Sequence, residues 1–129
     1  MVVVAIIGII AAIALPSYSD YVIRGKIPDA TSNLAAKRVQ LEQFFQDNRT
    51  YVDAPACVAD STSSRYFDFS CPAANLSATT FTLQAAGKGA MAGFVYTIDQ
   101  AAAKASTITA SGWASTSTAC WITNKGGSC

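Results

Sequence analysis

The pattern of apolar and polar positions divides this chain into two unlike parts. From Met1 to Leu15 (MVVVAIIGIIAAIAL) no side chain is charged or able to hydrogen-bond, and the first charge appears at Asp20. Aliphatic residues on every face of a helix require surroundings that are apolar all round, which the surface of a single soluble domain does not provide. At about 1.5 Å per residue the run reaches roughly 22 Å, short of the roughly 30 Å of a bilayer's hydrocarbon core. From Ser17 to Gln46 the pattern turns amphipathic, with Ile27, Ala30, Leu34, Leu41 and Phe45 recurring at helical intervals among Lys37, Arg38, Gln40, Glu42, Gln43 and Gln46. This half is expected to lay one face on a sheet, with Lys37 and Arg38 on a solvated side. Gly8, Pro16, Gly25 and Pro28 interrupt the pattern. Each proline removes an amide donor and crowds the carbonyl four residues earlier, so kinks are expected there.

Beyond Asp47 the density of Asp, Asn, Ser, Thr and Pro up to Asn75 predicts a long surface loop, within which Tyr66–Ser70 (YFDFS) alternates as a short strand. The period then becomes two. Residues 80–86, 94–100, 106–111 and 118–123 predict four successive strands, separated by turns around Gly87–Gly93, Ala101–Ala105 and Gly112–Ser117. Short connections make such neighbours antiparallel. Phe81, Leu83, Val95 or Tyr96, Ile98, Ile108 and Ile122 supply an inner face against Leu34, Leu41 and Phe45, giving an α+β fold in which a long helix packs on a four-stranded antiparallel sheet. The expected divisions are an apolar helix half (1–22), an amphipathic half (23–47) and a head (48–129). The head comprises a loop at 48–78, the sheet at 79–123 and a carboxy-terminal loop at 120–129.

Composition narrows the chemistry. Hydrophobic residues make up 51% and charged residues 13%, with a net charge of +1, so no strong general attraction to nucleic acid follows. Lys88, Lys104 and Lys125 are scattered candidates for DNA contact. Histidine is absent, and no GxSxG elbow, phosphate loop or paired-glutamate arrangement is present, so neither an enzyme nor a cofactor is expected. The four cysteines have no CxxC spacing, which argues against a metal site and for disulfides. Of the three possible pairings, joining sequence neighbours closes loops of about fifteen and ten residues, each contributing roughly 3 kcal/mol in the chain-entropy model. Energy alone does not choose between that pairing and the longer loops. The segment between Cys120 and Cys129 (WITNKGGS) combines Trp121, Asn124 and Lys125 into a candidate surface-contact loop, for which turn geometry is an equal explanation.

The stretch VVVAIIGIIAAIALPSYSDYV resembles the amino-terminal signature of the type IV pilins and the related pseudopilins, most closely the type IVa pilins of Gram-negative bacteria. The resemblance covers the first twenty residues closely and the layout of helix, loop, strands and carboxy-terminal cysteines more generally. It implies a leader removed by a prepilin peptidase, a methylated amino-terminal phenylalanine, and a glutamate expected about two residues before Met1, none of which lies within this sequence. It implies the pair Cys120–Cys129, and with it Cys57–Cys71. It also implies that Val2, Val3, Val4, Ile6, Ile7, Ile9, Ile10, Ile13 and Leu15 form the membrane and filament-core face. The stretch from Gly8 to Pro16 is then expected to lose helicity inside a filament, with a further kink at Pro28. The implied role is a structural subunit of a surface filament used for adhesion, twitching motility or DNA uptake. Such a subunit resides in the inner membrane before assembly, is handled by the pilus assembly machinery and forms a helical homo-oligomer outside the cell. A minor pilin binding DNA or an adhesion ligand, and a pseudopilin of a type II secretion system, are the alternatives.

Overall fold

The computed structural model describes residues 1–129. One helix, α1, runs from Val2 to Asn48, about 70 Å at 1.5 Å per residue. It is continuous through both Pro16 and Pro28. Arg49 ends it in a left-handed conformation (φ 57°), its amide donating to the Phe45 carbonyl. Only the second half of α1 has a buried stripe: Ile27, Ala30, Leu34 and Leu41, spaced three, four and seven apart on one face.

That stripe covers one face of an antiparallel sheet with the order β1 (Phe67–Ser70), β2 (Thr82–Gly87), β3 (Phe94–Asp99), β4 (Lys104–Ile108), β5 (Ser115–Ser117). The sheet therefore has five strands, not four. The additional member is the FDFS segment inside the long loop, which pairs with β2 in the register Phe67 to Gly87 and Ser70 to Gln84. Its alternation places Phe67 and Phe69 in the core, so the strand buries two aromatic rings by joining the edge. Outside it, Asp60 exchanges two backbone hydrogen bonds of 2.8 Å with Phe69, covering part of an edge that would otherwise be free.

The last strand differs in position. The expected strand at 118–123 is not a ladder strand; β5 lies earlier, at Ser115–Ser117, paired with β4. The reason is visible in the hydrogen bonds of residues 120–122. The Ser106 hydroxyl donates to the Cys120 carbonyl (2.7 Å) and accepts from the Ile122 amide (2.9 Å), while the Tyr96 hydroxyl donates to the Ile122 carbonyl (2.8 Å). Tyr96 and Ser106 are cross-strand partners on β3 and β4, so their side chains rise from one spot on the sheet and bind the returning chain. Side chains thus satisfy backbone groups that a strand would have paired in a ladder. Ile122 packs into the core, fully buried with Leu83, Tyr96, Phe94 and Ile98.

Candidate functional site

Met1–Ser19 stand clear of the head, every one of them exposed. Ile7, Ile10, Ile13 and Leu15 are each more than 60% exposed, and so are Tyr18 and Tyr21. The expected filament-core residues Val2, Val3, Val4, Ile6 and Ile9 also stand clear of every other element, and the window that meets the criterion for crossing a membrane has none of its residues buried. Nineteen residues at about 1.5 Å each project roughly 28 Å, close to the thickness of a hydrocarbon core. A soluble domain rarely presents so large a contiguous apolar surface unless another molecule covers it.

The helix first meets the head at Asp20. Its carboxylate accepts the buried Trp113 indole N–H (3.4 Å to Oδ1) and pairs with the Lys125 ammonium (3.2 Å to Oδ2). One side chain therefore joins the helix neck to the turn between β4 and β5 and to the carboxy-terminal loop. In the sequence Asp20 is marked only by its position as the first charge after the apolar run.

The carboxy-terminal loop faces inward more than its composition suggests. Cys120 and Cys129 are bonded, with Cα atoms 6.3 Å apart. The Trp121 indole N–H donates to the Thr97 carbonyl (2.8 Å), and the Lys104 ammonium lies 4.4 Å from the centre of its ring. Asn124 bonds within the loop to Thr123, and Lys125 is held by Asp20. All three candidate contact residues thus have partners in their own chain, and the loop braces the sheet against the neck.

The candidate DNA-contact lysines are dispersed in the same way. Lys88 pairs with Asp68 (2.6 Å) and donates to the Ser61 carbonyl (2.8 Å); Lys125 is paired with Asp20, and Lys104 lies over Trp121. Lys37 and Arg38 are also turned to the head: Lys37 pairs with Asp60 (2.9 Å), and Arg38 donates to the Asp99 and Gln100 carbonyls at the end of β3. They are therefore not the solvated face expected from the sequence.

The long loop is organised around Cys57–Cys71, whose Cα atoms are 4.9 Å apart, and around Asp60. The Asp60 carboxylate accepts the Ser63 hydroxyl and the Thr62 and Ser63 amides in addition to Lys37. The Ser63 hydroxyl and then the Lys37 ammonium hold its carboxyl well below the usual carboxylate range. Ser64 is buried; its hydroxyl donates to Asp29 on α1 and accepts the Tyr66 and Phe67 amides, leaving Ser61, Thr62 and Ser63 as the exposed hydroxyl residues of this loop. Burial raises the Tyr51 phenol above its ordinary value, helped by the neighbouring Glu42, and burial alone raises Tyr96.

A projecting apolar helix, a disulfide-stapled head and a helix laid across an antiparallel sheet form one architecture. Residues 16–95 match the family model described as "Type IV minor pilin ComP, DNA uptake sequence receptor", a span of more than half the chain that covers the neck, the amphipathic helix and the first strands. The chain belongs to the type IV pilin family. Among curated pilins, the fimbrial protein EcpC of Eikenella corrodens is 35% identical over 68 residues, covering 51% of this chain and 44% of that protein. The type IV major fimbrial protein FimA of Dichelobacter nodosus is 35% identical over 85 residues, covering 66% and 53% respectively. The aligned stretches thus span about half or less of these pilins' own lengths. The crystal structure of the Neisseria meningitidis non-core minor pilin PilV superposes with a TM-score of 0.58 at 18% identity, covering 70% of this chain and 92% of that one, which establishes the shared pilin fold.

Proposed function

We propose that this pilin is a structural subunit of a type IV pilus, held in the inner membrane by residues 1–19 and later packed by the same residues against other copies in the filament core. The observation that carries the reading is the projecting helix, whose aliphatic side chains find no cover within the chain. Lipid and a bundle of identical helices are equally apolar, so transfer between them leaves the hydrophobic term nearly unchanged and lets packing decide. In the filament, the Gly8–Pro16 stretch unwinds and Pro28 bends the helix; the freed carbonyls find partners in neighbouring subunits or water. The pilus assembly machinery extracts the subunit, and the assembled homo-oligomer lies outside the cell. No step requires catalysis.

The test is electron microscopy and mass spectrometry of fibres sheared from cells that express the chain with its native leader. The expected result is this subunit in the fibres, with Ile10→Asp abolishing its incorporation while the head still folds. Fibres that contain the Ile10→Asp variant at the wild-type level would remove the reading.

A second reading, a minor subunit that holds DNA, is favoured by the family model's description and by the minor-pilin fold match. Its contacts would be the cations outside the four ion pairs, namely Arg24, Lys26, Arg49, Arg65 and Lys104, not Lys88 or Lys125. DNA binding whose affinity falls with salt at a slope of about −0.9 per phosphate contact supports it; binding insensitive to salt counts against it.

A further inference from the structure

At the neck, Tyr21, Arg24 and Gly25 of α1 and Thr123 of the carboxy-terminal loop line an open concavity. Three features set it apart from the other surface clefts. First, Arg24 is exposed and belongs to none of the four ion pairs, whereas the nearby Lys125 is neutralised by Asp20 and Lys26 lies 4.7 Å from the Tyr66 ring centre. Second, a Cβ at Gly25 would meet nothing within 4 Å, so the helix surface beside Arg24 is open to a bulky group. Third, its height is set by the helix. With residues 1–19 spanning the hydrocarbon core, Tyr21 lies two residues above its edge, about 3 Å, and Arg24 five residues above, about 7 Å. The headgroup layer occupies roughly 5–7 Å on each side of the hydrocarbon core, and helical side chains lean toward the amino terminus, here toward the membrane.

We infer that this concavity holds the phosphate of an anionic phospholipid headgroup while the pilin is in the membrane. The guanidinium of Arg24 binds the phosphate oxygens, and the exposed phenols of Tyr18 and Tyr21 lie at the interface, where such rings are favoured. Lipid is preferred to nucleic acid because the site lies immediately above the apolar run, where a bilayer meets the protein and a long polyanion would be held against an anionic surface. The inference rests on the membrane-insertion reading above. It adds a consequence: extraction into a filament must break this headgroup contact, so membrane composition tunes the supply of subunits.

The test uses the full chain in nanodiscs of phosphatidylcholine, titrated with phosphatidylglycerol to about 30%, with the Gly25 and Thr123 amides followed by NMR. Both resonances are expected to shift saturably with the anionic fraction. Arg24→Gln is expected to raise the half-saturating fraction about fivefold, the effect of one basic residue near an anionic surface, while Arg49→Gln at the far end of α1 leaves it unchanged. A pilin that inserts but shows no response at these amides overturns the inference and leaves the proposed function intact; a chain that does not enter the discs overturns both. Equal shifts from inorganic phosphate or a short DNA duplex in phosphatidylcholine discs overturn the lipid assignment in favour of the free anion or the nucleic acid.

Discussion

Replacing Ser106 with alanine tests how the carboxy-terminal segment is held. Ser106 is 1% exposed, and its one hydroxyl serves two backbone groups, donating to the Cys120 carbonyl and accepting from the Ile122 amide. Alanine removes both bonds and leaves the Ile122 amide without a partner inside the core. A stranded buried backbone group costs about 1–3 kcal/mol, and the Cys120 carbonyl, being nearer the surface, recovers part of its loss from water. The expected destabilisation is therefore about 2–4 kcal/mol, measured by urea unfolding of the detergent-solubilised chain with the Cys120–Cys129 bond intact. Hydrogen exchange at the Ile122 amide should accelerate before the β2–β3 ladder opens. Tyr96→Phe removes the bond to the Ile122 carbonyl, so it and Ser106→Ala act on the same residue and should combine non-additively. If Ser106→Ala unfolds within about 0.5 kcal/mol of the parent and Ile122 stays protected, side chains are not what replaces the missing ladder.

Other consequences are equally direct. Cys57→Ser with Cys71→Ser should destabilise the head more than Cys120→Ser with Cys129→Ser, because residues 120–122 retain Ser106, Tyr96 and Trp121 as anchors; equal losses in thermal unfolding would contradict this. Gly87→Ala places a Cβ against the carbonyls of Met91 and Phe94, both fixed in backbone, and should cost about 2–4 kcal/mol in urea unfolding, whereas Gly25→Ala, in open space, should cost nothing. Asp60 has a folded-state pKa below its unfolded value, so its contribution is present above about pH 4 and is lost as the pH falls through the folded-state value. The Thr62 and Ser63 amide resonances should accordingly hold their positions at pH 5 and move only below about pH 3; a titration midpoint near 4 would show that Ser63 and Lys37 do not bind the carboxylate in solution.

Local pattern made several elements legible before any coordinates. The uniform apolarity of Met1–Leu15 marks a surface that its own head does not cover, and the spacing of Ile27, Ala30, Leu34 and Leu41 marks the packed face, because helical geometry alone decides which side chains share a side. Alternation likewise located β2, β3 and β4 to within a few residues, and the FDFS strand within its loop. That β1 joins the sheet required knowing that the long loop returns to the β2 edge, a contact between segments with no shared period. The fate of residues 118–123 was hidden for a related reason: TACWIT has the alternation of a strand, but Ser106 and Tyr96, distant in sequence, take its hydrogen bonds.

The candidate site divides in the same manner. The sequence by itself determined that one end of the chain seeks an apolar environment and that the four cysteines suit disulfides, since both follow from residue type. Only the tertiary structure decided that Lys37, Arg38, Lys88 and Lys125 spend their charges on their own chain, that Asp20 ties the neck to two loops, and that Arg24 remains free above the apolar run. A cation's availability depends on which carboxylate, carbonyl or ring folding brings within a few ångströms, and that distance is a property of the packed chain.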